Sequence, residues 1–154
     1  MNTTYTLRIT EQKDAEFLFH VKIEAMKDAT SILRTEPFDY EKEFAEYLSK
    51  FEPEKIQVIQ FEGNDIGRLR IVRSPESIYI GGVQILPDFQ SKGIGSAIFT
   101  DLINESESTG IPVTLEVHRV NKRAISFYEK LGFQETGNTE KQILMKYVPK
   151  SMAA

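Results

Sequence analysis

The stretch QSKGIGSAIF, Gln90 to Phe99, decides how this chain is read. Two glycines, Gly93 and Gly95, flank Ile94 beside Lys92, and Ile94, Ala97, Ile98 and Leu102 then recur at helical spacing. The first backbone N–H groups of a helix have no partner inside it and carry partial positive charge. Glycines remove the side chains that would hold a guest away. Successive N–H groups in such a turn make a concavity for an anion, and Lys92 adds a full charge. The guest that fits is a phosphate or a pyrophosphate. No Lys-Ser or Lys-Thr pair follows the glycines, and the third position of a dinucleotide fingerprint is filled by Ile98, so neither common nucleotide motif applies. A helix that merely begins at a glycine turn is the competing reading.

Upstream, SIYIGGVQIL (residues 77–86) changes phase: Ile78 and Ile80 are even-numbered, Val83 and Ile85 odd. A regular strand alternates faces, so one extra residue falls between the two sets, and Gly81-Gly82 stands at that point. A plain strand with a glycine dent keeps Tyr79, Gly81, Val83 and Ile85 in one parity and stays open. KIQVIQFE and IGRLRIVR read as two more strands, joined at Gly63-Asn64-Asp65. Tyr5, Leu7 and Ile9 alternate as a first strand. Thr10 is placed to cap a helix carrying Leu18, Val21 and Ala25. Tyr40, Phe44, Tyr47, Leu48 and Phe51 mark a second helix between Pro37 and Pro53, its aromatic stripe read as core.

Downstream, a helix from about Gly93 to Glu107 ends at Gly110 and Pro112, and VTLEV is a strand. In LEVHRVNKRAISFYEKLGF (residues 115–133), Asn121 caps a short helix, Val120 and Ile125 form a staple, and Gly132 follows as the C′ glycine. Phe133 can pack back on Phe127 or Tyr128. Asn121 serves equally as cap or ligand contact. GFQET and QILMKYV close the order β-α-α-β-β-β-α-β-α-β-β, whose middle requires a parallel crossover beside antiparallel hairpins.

The chain has 154 residues, 40% apolar and 27% charged, with net charge −4, which fits one globular domain over 1–149 and a frayed tail over 150–154. That charge argues against nucleic acid or an anionic membrane as partner. The absence of cysteine excludes a thiol nucleophile and thiolate metal ligands and suits the cytoplasm. No apolar run reaches membrane-span length and no secretory signal is visible at the N-terminus. The two histidines, His20 and His118, make no metal or triad constellation and read as helix-face and surface residues.

In order, these pieces resemble the GNAT superfamily of acetyl-CoA-dependent N-acetyltransferases. The match lies in the bulged strand, Gln90-Ser91-Lys92-Gly93-Ile94-Gly95 opening a helix, then Asn121, Ala124, Tyr128 and Leu131-Gly132-Phe133. It is strong from about Ile78 to Gly137. The resemblance implies an α+β fold: a central mixed, mostly antiparallel twisted sheet of about seven strands, flanked by four helices, with the bulged strand splayed from its neighbour. It implies acetyl-CoA as cosubstrate, without metal. The pyrophosphate would lie on the N–H groups of Gln90 through Gly95, with Ser96, Asn121, Ala124 and Phe127 also at the coenzyme. The pantetheine arm would run along Gln84 and Ile85. A backbone N–H near Ile85 would stabilise the oxyanion.

The same resemblance makes Tyr128 the general acid at the sulfur, against a packing aromatic. Glu116, on the opposite face to Leu115 and Val117, becomes the candidate base, or a group that positions the amine or relays through water. The expected reaction is acetyl transfer to a primary amine, a protein N-terminus or a small molecule. A non-catalytic acyl-CoA sensor and a nucleotide-binding protein are the other readings, and a homodimer is left open.

Overall fold

The computed structural model describes residues 4–25 and 37–150. The expected fraying of the tail past Lys150 falls outside them. Among the described residues the order is β1 (Thr6–Ile9), α1 (Ala15–Ala25), α2 (Tyr40–Ser49), β2 (Ile56–Phe61), β3 (Asn64–Arg73), β4 (Ile78–Ile85), α3 (Ile94–Thr109), β5 (Val113–His118), α4 (Lys122–Lys130), β6 (Gln134–Asn138) and β7 (Gln142–Tyr147). The strands form one seven-stranded sheet in the order β1-β2-β3-β4-β5-β7-β6. β4 and β5 pair in parallel, and β1/β2, β2/β3, β5/β7 and β6/β7 pair antiparallel. The crossover demanded by the strand–helix–strand succession is therefore β4-α3-β5.

The chain divides into two compact units, residues 1–70 with 82–95 and residues 71–81 with 96–154. β3 and β4 each pass from one unit to the other. In the first, Leu18, Phe19 and Val21 of α1 are buried, as are Ile56, Val58 and Ile59 of β2 and Ile66 and Leu69 of β3. Phe17 and Phe51 pack against Leu18, Ile56 and Val58. The aromatic stripe of α2 gathers on Phe19, whose ring centroid lies 5.3 Å from those of Tyr40 and Phe44 and 5.2 Å from Tyr47. The stripe is only partly core, because Tyr40 and Leu48 remain more than 40% exposed.

Two local expectations are corrected in this unit. Thr10 does not cap a helix: its hydroxyl donates to the Ile56 carbonyl at 2.6 Å, and a short 3-10 turn, Gln12–Asp14, with a Glu11/Asp14 capping box precedes α1. The β2/β3 turn is centred on Glu62-Gly63, both at positive φ (50° and 81°), with Phe61 paired to Asn64. Two left-handed central residues match the right-handed twist of a hairpin. Register also shifts between Ile59 and Gln60, an irregularity the alternation of apolar residues does not announce.

In the second unit, Ile78 and Ile80 pair with Val113 and Leu115, and β5 runs on to His118 against β7. The buried alternation of β4 stops at Ile80; Gly81 is exposed and Gly82 to Ile85 are half-buried. Phe99 is 2% exposed and carries the rings of Phe127, Tyr128 and Phe133. Burying such a ring contributes about 1.5–3 kcal/mol.

Candidate active site

The turn that opened the sequence reading lies in the first unit. Pro87–Phe89 makes a 3-10 turn, closed by Phe89 N–H to the Leu86 carbonyl at 2.9 Å and Gln90 N–H to the Pro87 carbonyl at 3.2 Å. Gln90 also donates through Nε2 to the Ile85 carbonyl at 2.8 Å. Both its backbone donor and its amide are thus engaged within the turn. Ser91 (φ 63°) and Gly93 (φ 84°) adopt the left-handed conformation on either side of Lys92. Ser91, Lys92 and Gly93 are exposed, Ile94 is buried and anchors the start of α3, and Ser96 is exposed on its first turn.

The two glycines serve different needs. Gly93 answers to the backbone, since a side chain at positive φ is strained. Gly95 does not: a Cβ there would meet only the Ile85 Cδ1, at 3.9 Å, which is ordinary contact. The fold leaves room above Gly95, as the close approach of a ligand would require. The strand leading in is tightly held. Leu86 N–H donates to the Ile66 carbonyl at 2.8 Å, and a side chain on Gly67 would strike the Gln84 carbonyl oxygen. Gln84 and Ile85 are half-buried on this strand.

In the second unit, Asn121 Oδ1 accepts the Ala124 N–H at 3.2 Å, so its side-chain oxygen is spent as the cap of α4. The helix ends as the glycine predicts. Gly132 N–H donates to Glu129 at 3.0 Å and Phe133 N–H to Tyr128 at 3.1 Å, with Gly132 at φ 103°. This double bond to the last turn satisfies its orphan carbonyls. The same closure fixes Tyr128, whose ring sits 5.3 Å from Phe99, 5.6 Å from Phe127 and 5.9 Å from Phe133. Burial pushes the Tyr128 phenol above its usual value, because desolvation disfavours the phenolate. Its hydroxyl bonds to none of the described residues.

Glu116 is exposed on β5, while Leu115 and Val117 face inward, as the alternation requires. His118, on the Glu116 face, is half-buried rather than a surface residue, and its Nδ1 is buried without a partner.

Sequence reasoning missed a feature of the first unit. Arg68 on β3 is 6% exposed; its Nη1 donates to Gln84 Oε1, while its Nε and the Tyr47 hydroxyl are buried without hydrogen-bond partners.

The model of the Acetyltransferase (GNAT) family matches residues 23–133, which covers the turn, β5 and α4. The chain belongs to that family. Over 54 residues it is 43% identical to the ribosomal protein bS18-alanine N-acetyltransferase of Escherichia coli, a match spanning 34% of this chain and 36% of that one. It is 25% identical over 145 residues to an uncharacterised N-acetyltransferase of Methanocaldococcus jannaschii, covering 86% of this chain and 62% of the other. Among solved structures, the PaiA N-acetyltransferase of Thermoplasma acidophilum, in complex with coenzyme A, superimposes with TM-score 0.72 at 19% identity over 94% of this GNAT chain and 99% of its own. The E. coli ribosomal-protein-S18-alanine enzyme gives 0.63 at 24% identity, over 94% of each chain. These two structures share the fold.

Proposed function

We propose that this GNAT protein transfers an acetyl group from acetyl-CoA to a primary amine. The observation that carries the reading is the Ser91–Gly95 turn: left-handed Ser91 and Gly93, an exposed lysine and an uncrowded Gly95 at the start of a helix of 16 residues. Those features fit a diphosphate, which helix N-termini and nests of N–H groups bind. The coenzyme supplies the acetyl thioester. Gln84 and Ile85 present the edge along which its arm would lie.

The remaining roles belong to the chain's own groups. The acceptor nitrogen must be neutral to attack, which an α-amine at pKa ~7.7–8.0 achieves more readily near neutrality than an alkylamine at ~10.4. Nitrogen bonds to the acetyl carbon and the carbon–sulfur bond breaks. Tyr128 donates its Oη proton to the departing sulfur, and the proton lost by nitrogen passes to Glu116. Burial keeps Tyr128 protonated at any working pH. The E. coli relative is an alanine N-acetyltransferase of ribosomal protein bS18, and alanine carries no side-chain amine, so protein N-termini stand beside small amines as acceptors.

Thiol release from acetyl-CoA over a panel of amines tests the reading, with a thermal shift alongside. Saturation at 100 times Kd raises stability by ~2.7 kcal/mol. A shift with acetyl-CoA and thiol release with at least one amine are expected. A shift without release from any amine means a binding module, and a shift with ATP alone means a nucleotide site.

A further inference from the structure

We infer that Arg68 is the anion-recognising residue of the acceptor subsite, and that the amine acetylated by this protein carries a carboxylate. The inference rests on the transfer reading above and deepens it by naming the acceptor's chemical class.

Arg68 stands on β3 with its guanidinium almost wholly inside the first unit. A guanidinium cannot shed its proton to escape burial. A charge removed from water is costly unless paired and fully hydrogen-bonded. Here the pairing is incomplete. Nη1 donates to the neutral amide of Gln84, and the Tyr47 hydroxyl lies against the guanidinium, but neither it nor Nε completes a hydrogen bond of good geometry. No carboxylate among the described residues forms an ion pair with Arg68; the charged and titratable groups that bear on it are Tyr47, Arg70 and Lys22. Lys22 of α1 adds further positive charge, its Nζ lying 5.6 Å from the centre of the Tyr47 ring, with Glu43 and Lys50 as its charged neighbours.

The backbone is cut to make room for this group. A Cβ on Gly82 would come to 3.0 Å from Arg68 Nη1 and 3.2 Å from Gln84 Oε1. Gln84 is the side chain of the strand assigned to the pantetheine arm, so the unfilled donors lie beside the path of the acyl group within the same unit. A planar fork with spare N–H groups matches a carboxylate, which it binds through two parallel bonds. A carboxylate on the acceptor would complete the hydrogen bonding of Arg68 and cancel its charge. A neutral amine would leave both as they are.

Two sources provide that chemistry, a free amino acid and a peptide whose N-terminal residue is acidic, and the experiment separates them. In the first arm, 15N-labelled protein is titrated with an amino acid and its carboxamide, and with a Glu-initiated peptide and its Gln-initiated counterpart, while the Nε–H resonance of Arg68, assigned by its loss in Arg68→Met, is followed. A shift with the carboxylate and none with the carboxamide is expected; equal shifts or no shift overturn the inference. In the second arm, thiol release is compared for matched acceptors: amino acid against carboxamide, and Glu- or Asp-initiated peptide against Gln- or Asn-initiated peptide. The pair that responds identifies the source. The carboxylate member should exceed its partner by about tenfold or more in kcat/KM, the worth of a charge-assisted hydrogen bond.

Arg68→Met should reduce that ratio to about twofold or less, and Arg68→Lys, which keeps charge without the fork, should give a ratio between those of Arg68→Met and the parent. Release that ignores the carboxylate defeats the inference and leaves the transfer reading standing. Release from no amine defeats the transfer reading, and the resonance titration still decides the anion site.

Discussion

Replacing Tyr128 with phenylalanine separates catalysis from packing, because the ring and the hydroxyl do different things. The ring is held by Phe99, Phe127 and Phe133 at centroid distances of 5.3–5.9 Å, contacts a phenylalanine keeps. The hydroxyl bonds to none of the described residues. Its removal therefore breaks no hydrogen bond there, and the urea midpoint should stay within about 0.5 kcal/mol of the parent, the range of a neutral substitution. Loss of a general acid costs roughly 10²–10⁴-fold in rate, or about 2.7–5.5 kcal/mol of barrier. Thiol release at saturating acetyl-CoA and acceptor should fall at least a hundredfold, with the KM for acetyl-CoA changed by less than about threefold. The pH profile adds a second reading. The phenol's pKa is raised above its usual ~10, so ionisation of Tyr128 should place no basic limb on kcat below about that pH. By the same sign, its contribution to stability is intact below pH ~10 and declines as pH rises through the folded value. A Tyr128→Phe protein that folds normally and keeps kcat within about threefold of the parent refutes the acid assignment and leaves the residue as packing for α4.

Other expectations follow from the two glycines and from the Arg8 cluster. Gly93→Ala places a side chain at φ 84° and should cost about 1–2 kcal/mol in a urea melt. Gly95→Val, at a site with no close neighbour, should leave stability near the parent and weaken acetyl-CoA in a thermal-shift titration by more than about tenfold; unchanged affinity would place the diphosphate elsewhere. Arg8 grips Asp14 with two bonds of 2.9 Å and Asp65 with bonds of 2.7 and 3.3 Å, which holds both carboxyls below their usual range. Their contribution is present above the unfolded value of ~3.9 and is lost as pH falls through the lower folded values. Urea midpoints measured from about pH 6 to about pH 2 should fall more steeply for the parent than for Arg8→Met; equal slopes would show the cluster to be idle.

The fold was legible wherever glycine, proline and apolar period agreed. Gly132 announced the closing motif of α4, and the succession from Ile78 through α3 to Val113 required the parallel β4/β5 pair. Turns set by a single φ were harder to read. The hairpin centre moved one residue back because Glu62 accepts a positive φ that nothing in its side chain advertises. Thr10 looked like a cap, but the Ile56 carbonyl, 46 residues away in sequence, claims its hydroxyl. Arg68 was missed for a similar reason. In RLRIV the arginines alternate with apolar residues, a pattern that marks a strand without singling out either arginine. Arg68 stands opposite Val58 of β2, which is fully buried, so that face of the sheet is covered here and Arg68 is covered with it. Burial on both faces is a tertiary fact that strand periodicity does not carry.

A crystal of this protein grown with coenzyme A measures the central claim directly. The account predicts diphosphate oxygens within hydrogen-bond distance of backbone N–H groups between Ser91 and Gly95. A bound coenzyme whose phosphates contact none of those groups would contradict it.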